Sequence, residues 1–382
     1  MTGPVNVHGQ RTSRSNCGLC PCGLLPAHAA LGHGAGPRSA KARLSFEGSS
    51  LVGSNDSATG KGKWQESVTR LPRDAESRVF VTGDLSLDHV ITGLELGSVN
   101  RVHCIKTTPG GSAFNAALAF KQEGFSPIVF GAVGDDAAGE SILNELKHHN
   151  IGQLVTRDKH RPTAECHILY FQERDELRTI YYEANNANSY DSTSLHYALE
   201  RADLDPGDYL FSSLHILDQM DRDIAACRPF LKELASAQGR LIIDLVPHGL
   251  YNFCDKDSLT GLLPDSTWLM IGEFRTFFNL IHGSSQPPPP MPTRRQCKTI
   301  AKTLRSRYFS CRYGAGNIGY EILFSQDLHR QERMPTQHDT GFAQLRPEQK
   351  RGFGDLLTAK AVRTLSELGA LDSSVEGMED LS

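Results

Sequence analysis

Arg351-Gly352-Phe353-Gly354-Asp355-Leu356-Leu357-Thr358-Ala359-Lys360-Ala361-Val362 is the stretch on which the fold turns. From Leu356 onward its residues favour a helix, so Gly352 to Asp355 form a helix N-terminus. Unpaired backbone N–H groups and the positive end of the helix dipole converge there, a place that favours phosphate oxygens. A carboxylate at the same place can accept a proton from an incoming hydroxyl while the N–H groups hold a phosphoryl group in transfer. By itself the tetrapeptide reads equally well as a helix capped by an ordinary aspartate.

A second glycine constellation lies far upstream. Gly110-Gly111-Ser112-Ala113-Phe114-Asn115 leads into a helix, followed by Gly124, Gly131, Gly134-Asp135-Asp136 and Gly139. Paired glycines before a helix admit a ligand close to the backbone, and Asn115 offers both a donor and an acceptor to a hydroxylated ligand. Around these glycines the chain alternates. Arg78 to Asp84 reads as a first buried strand ending in a Gly-Asp turn. Ala113 to Glu123 reads as a helix closed at Gly124, Pro127 to Ala132 as a strand and Gly139 to His149 as a helix. Tyr209 to Phe211, Leu241 to Leu245 and Thr267 to Ile271 are further short apolar runs, with helices predicted near 221–237 and 298–307. This rhythm predicts an α/β fold, a largely parallel central sheet with helices on both faces. Ala164 to Tyr182 breaks the rhythm as a β-hairpin around the charged turn Glu173 to Arg178, a small flap over a site or a plain edge hairpin.

Taken together, these motifs resemble those of the ribokinase (PfkB) family. Gly110 to Gly134 with Asn115 is similar to the family's first signature, and Gly352-Phe353-Gly354-Asp355 to its second, usually Gly-Ala-Gly-Asp. Gly83-Asp84-Leu85-Ser86-Leu87-Asp88 resembles the family's first strand and turn, and the hairpin followed by Asn186-Ala187-Asn188 its lid and Gly-Ala-Asn stretch. The resemblance spans about residues 78 to 369. It implies a ribokinase-like three-layer sandwich with a small β lid, and ATP- and Mg²⁺-dependent transfer of the γ-phosphate to a hydroxyl of a sugar- or nucleoside-like molecule. By the same resemblance Asp355 is the base and Gly352, Phe353, Gly354 and Arg351 surround the anion hole. Asp88, Gly110, Gly111 and Asn115 hold the acceptor. Gly314 and Gly316, in Tyr313-Gly314-Ala315-Gly316 after the strand-like Tyr308 to Cys311, fall where the family has a nucleotide-binding loop.

The chain also departs from the family. Where members carry Asn-x-x-Glu to organise Mg²⁺, this sequence has Gly272-Glu273-Phe274-Arg275, leaving Glu273 as the metal-side carboxylate. Gln349, Lys350 and Arg351 replace the usual Asp-Thr before the anion hole, and Arg351 would bring positive charge to a phosphate. The last helix is predicted to end near Leu371, with an acidic tail over 372–382 in place of further helices. These departures support an alternative: an inactive family member that binds a sugar, a nucleotide or a protein partner. A nicotinamide-dependent Rossmann enzyme is disfavoured, because no Gly-x-Gly-x-x-Gly follows the first strand.

Composition sets the outer limits. A hydrophobic share of 39% and a charged share of 22% describe a globular chain, and a net charge of -4 leaves no basic footprint for nucleic acid. No apolar run approaches the ~20 residues of a membrane span. Cys104, Cys166, Cys227, Cys254, Cys297 and Cys311 are scattered singly, as reduced thiols in a cytoplasmic protein would be. Residues 1–75 read as a disordered or targeting-like leader. Acid-poor and Arg-bearing, 1–46 also resembles an organellar transit peptide. Cys17, Cys20 and Cys22 with His28 and His33 lack the spacing of a zinc finger. The kinase-like domain is predicted over 76–371, with its lid at about 163–183 and a Pro-rich surface insertion at 283–293. A β lid would also present an edge for a homodimer.

Overall fold

In the computed structural model the described residues are 77–95, 104–171, 178–182, 186–188, 192–220, 223–246, 250, 254–283, 287–315, 318–325, 336–341 and 352–379. The leader, the hairpin turn 172–177, residues 284–286 of the Pro-rich insertion, Gly316, Arg351 and the last residues 380–382 lie outside them.

The chain begins with β1 (Arg78–Thr82), β2 (Ser86–Leu94), β3 (Cys104–Gly110), α1 (Ser112–Gln122), β4 (Ser126–Gly134), α2 (Ala137–His148) and β5 (Gly152–Asp158). Next come β6 (Ala164–Phe171), β7 (Arg178–Tyr182), α3 (Ser192–Ala202), β8 (Tyr209–Ser213), α4 (Ile216–Gln219), α5 (Ile224–Ser236) and β9 (Arg240–Asp244). The remainder is α6 (Lys256–Leu262), β10 (Thr267–Glu273), α7 (Phe274–His282), α8 (Arg294–Leu304), β11 (Tyr308–Ala315), β12 (Ile318–Ser325), β13 (Thr336–Asp339) and α9 (Phe353–Glu379).

Nine strands form one sheet in the order β13-β12-β11-β10-β9-β8-β1-β4-β5. Every pairing from β5 to β11 is parallel, and β11-β12-β13 are antiparallel. A strand between two parallel neighbours is covered on both faces, which is why β1 and β8 are buried at every position. Successive side chains then alternate between two cores. Val79 and Val81 of β1 pack with α1, α2 and α9, whereas Phe80 packs with α3, α5, α6, α7 and α8. The result is the helix–sheet–helix sandwich that the alternation predicts.

Arg78 is the charged exception in the core strand. Its guanidinium binds Asp208 at 2.6 and 3.0 Å and donates to the Ala202 carbonyl at 2.8 Å, so its charge is buried with a full set of partners.

The lid is larger than the hairpin predicted at about 163–183. β6 and β7 do pair antiparallel, but β6 also pairs parallel with β2, giving a second sheet in the order β3-β2-β6-β7. β2 and β3 escape the sequence reading because their polar residues, among them Asp88, His89, Thr107 and Thr108, dilute the apolar strand signal.

α9 is a further correction. Instead of ending near Leu371 before an acidic tail, the helix continues to Glu379. Between 366 and 379 no proline interrupts the backbone, and Leu, Ala, Glu and Met outweigh the cost of Gly369 and Gly377.

Candidate active site

Two turns meet at the C-terminal end of β1. Gly83-Asp84 leaves the strand, and Gly110-Gly111 leaves β3 to enter α1. The Asp84 carboxylate accepts from the Ser112 amide at 3.1 Å and from the Ser112 hydroxyl, and the Ala113 amide donates to the Asp84 carbonyl at 3.1 Å. Gly111 has φ +93, and a Cβ there would sit 2.3 Å from the Asp84 carbonyl oxygen. Only glycine allows the two turns this approach.

Asp88 reaches the same corner from the lid. It is buried in β2 and accepts from the Ser86 hydroxyl at 2.7 Å. Its carboxylate lies over the Cα of Gly110, where a Cβ would come within 2.2 Å of Oδ2. Gly110 is therefore required by the carboxylate it supports. Asn188 fastens the arrangement, accepting from the Leu85 amide at 3.1 Å and donating to the Leu85 carbonyl at 3.3 Å. The Asn188 amide in turn donates to Asn186 Oδ1 at 2.9 Å. Asn115 stands in the first turn of α1, and its side-chain oxygen is buried with no hydrogen-bond partner among the described residues. An acceptor in that condition suits a hydroxyl-bearing ligand or a water.

The second half of the site is the start of α9. Gly352, at φ +69, turns the chain into the helix, and the Leu356 amide donates to its carbonyl at 3.0 Å. The N–H groups of this first turn have no helical acceptor of their own. Thr358 fixes the turn against the sheet, donating to the Gly354 carbonyl at 3.1 Å and approaching Asp244 Oδ2, at the end of β9, at 3.3 Å. Arg312 of β11 bonds the same Asp244 oxygen at 3.3 Å and lies 3.4 Å from the Thr358 hydroxyl. Burial lowers the Arg312 pKa, but Asp244, Glu321, Glu273 and Asp355 outweigh it and raise it above the usual arginine value. Asp244 thus bonds Arg312 directly, and the charges of Glu321, Glu273 and Asp355 act on the same cation.

α1 and α9 join the two halves. They pack side by side, with Ala359, Ala361, Val362 and Leu365 of α9 in the core that holds Ala113, Ala116, Ala117 and Phe120 of α1. Arg363 donates to the carbonyl of Glu123 at the C-cap of α1, at 2.9 Å. Both helices start at the same sheet edge, since Thr82 pairs with Ser212 and Ser213 with Asp244. Two strand steps, roughly 10 Å, separate the ends of β1 and β9. This is the edge where open parallel α/β sheets bind ligands.

The structure thus gathers Asp88, Gly110, Gly111 and Asn115 at one corner and Gly352 to Asp355 with Glu273 at the other. Arg351 and Gly316 lie outside the described residues. Gly314 does not form the expected loop: it belongs to β11 and pairs with Gly319 of β12 in an antiparallel hairpin. Strand pairing wins because Tyr313 and Tyr320 face each other across the ladder, their rings stacked 5.5 Å apart. Asp244, Arg312, Thr358 and Glu321 are not among the site residues that the sequence reading names. Asp244 alone left a trace, a carboxylate closing the apolar run Leu241-Ile242-Ile243 at a strand's C-terminal end.

Residues 76–245 match the family model described as pfkB family carbohydrate kinase. The bifunctional protein HldE of Pseudomonas fluorescens is 34% identical over 100 residues, 24% of this chain and 21% of that protein. Probable fructokinase-7 of Arabidopsis thaliana is 25% identical over 118 residues, 30% of this chain and 34% of its own. The chain thus spans about a fifth to a third of the length of these curated relatives. Among solved structures, the Arabidopsis thaliana ribokinase complexed with ribose and ATP superposes with a TM-score of 0.52 at 17% identity, covering 76% of this chain and 86% of the other. The fructokinase from Xylella fastidiosa also gives 0.52, at 11% identity, over 76% and 82% of the two chains. The fold is ribokinase-like.

Proposed function

We propose, from the match of residues 76–245 to the pfkB family carbohydrate kinase model, that the chain moves the γ-phosphate of ATP to a hydroxyl of a sugar or related metabolite. The observation that carries the proposal is the pairing of α1 with α9. It sets the Asp88–Gly110 corner and the Gly352–Asp355 turn along one sheet edge. Asp88, Gly110, Gly111 and Asn115 orient the acceptor. Asp355 takes the proton of the attacking hydroxyl, and the N–H groups of Gly352 to Gly354 stabilise the charge on the transferring group. Arg312 balances the carboxylates and keeps Asp244 in place to hold Thr358. Asp244 and Glu273 would be the oxygen ligands for Mg²⁺ at this edge. Mg²⁺ with ATP would supply charge neutralisation on the phosphates.

The test is ATP consumption by the purified protein with Mg²⁺ against pooled sugars and nucleosides, with Asp355→Asn in parallel. Acceptor-dependent turnover that falls by about 10²–10⁴ in the variant supports the role of Asp355. Turnover indifferent to the substitution removes Asp355 from the chemistry. A second reading, a family member that binds a sugar or nucleotide without turnover, draws on the Gly314 hairpin that replaces the expected loop. Bound ATP with no turnover in either protein is its signature. In either reading β3 and β7 bound the lid sheet as its edge strands, and pairing through them would produce a homodimer.

A further inference from the structure

The lid has two faces, and only one of them meets the active-site corner. Ser86, Asp88 and Val90 point inward and are buried, so by strand alternation His89 points outward. His89 pairs in register with His167 on the neighbouring parallel strand β6, and Glu165 shares the face of His167 by the same period of two. His89 Nε2 lies 3.1 Å from Glu165 Oε2, and the two imidazoles stack with centroids 4.8 Å apart. One ligand atom from each of His89, Glu165 and His167 falls within 4.8 Å of the others.

We propose that His89, Glu165 and His167 form a transition-metal site of the zinc class on the outer face of the lid, clamping β2 to β6. The donor set is two imidazoles and one carboxylate, which suits Zn²⁺ and leaves a fourth position for water. On a tetrahedral ion with bonds of about 2.0–2.1 Å, neighbouring donors stand about 3.3 Å apart, close to the present His89–Glu165 spacing. Only His167 has to close further, a movement within the soft χ2 torsion of an imidazole. The supporting partner is also in place. His89 Nδ1 lies 3.0 Å from the hydroxyl of Thr107 on β3, which can accept the Nδ1 proton once Nε2 turns its lone pair to a metal. The three donors come from β2 and β6, the two central strands of the lid, where a shared ion opposes shear between them.

The full chain, stripped with chelator, is titrated with Co²⁺ in a large excess of Mg²⁺ to occupy oxygen-only sites. The expected result is one Co²⁺ bound with a d–d spectrum lacking a thiolate charge-transfer band, and displaced by Zn²⁺. His167→Ala should weaken that binding by about 100-fold or more, the upper end of what losing even a supporting partner costs. Glu165 is half exposed, so Glu165→Gln keeps the fold and must weaken binding as well; it decides the matter if His167→Ala does not fold. Unchanged Co²⁺ affinity in the folded variants, a thiolate band carrying all the bound metal, or no Co²⁺ retained by the wild type would overturn the site.

Discussion

At the scale of single residues, the site depends on atoms that glycine lacks. Gly110 leaves room for the Asp88 carboxylate, so Gly110→Ala pushes that carboxylate out of place while the rest of the fold can stand. A displacement of about 1 Å at an acceptor contact costs on the order of 100-fold in catalytic efficiency. The loss should show mainly in KM for the acceptor, with KM for ATP little changed; equal loss in both would refute a role confined to the acceptor. Arg312 is the opposite case, a charge whose removal strands its neighbours. Arg312→Leu leaves Asp244 and Glu321 buried without their cation, and breaking such an arrangement costs about 3–5 kcal/mol. A denaturant midpoint within error of the wild type would show that the carboxylates find another partner.

Elements take their positions from a few polar anchors. Asp136 caps α2, accepting from the Gly139 amide at 2.8 Å, and also ties the loop before β6 by accepting from the Thr163 amide at 2.8 Å and hydroxyl at 2.6 Å. Burial raises the Asp136 pKa, but the Thr163 and Gly139 bonds prevail and hold it below 3.8. A carboxylate with a lowered folded pKa stabilises above its unfolded value and loses that contribution as pH falls through the folded one. Asp136→Ala should therefore lower stability at pH 7 by about 1 kcal/mol, the usual worth of an N-cap. The gap between wild type and variant should narrow at pH 3 in urea titrations, and a gap independent of pH would contradict the assignment. Two buried thiols belong to this scale as well. Burial and the nearby Asp223 push Cys227 up to about 12, and burial with Asp255 pushes Cys254 up to about 11, so neither should alkylate before the core around it opens.

The whole molecule divides by its two sheets. β1 and β8 are buried at every position and β9 at all but its first, whereas β2 and β6 keep many positions partly open. Local opening follows burial. Amides of β2, β3 and β6 should therefore exchange with deuterium sooner than those of β1, β8 and β9, and acceptor binding should slow the lid more than the core. Uniform exchange across both sheets would mean that the lid opens only with the global fold. Among the described residues no helix is long and apolar enough to cross a membrane.

The sequence by itself determined the sandwich, because the alternation of apolar runs and helices is a local record of which faces are buried. The Gly110-Gly111 and Gly352–Asp355 turns were legible for a similar reason: glycine and a helix start impose their conformation within a few residues. Only the tertiary structure decided the rest. Asp244, Arg312 and Thr358 come from a strand end, a second strand and a helix turn, and their meeting depends on the order β11-β10-β9 in the sheet. The lid face that carries His89, Glu165 and His167 exists because β2 pairs in parallel with a strand some 80 residues downstream. Such register is a long-range property, fixed by packing against the whole domain and by no residue's local preference.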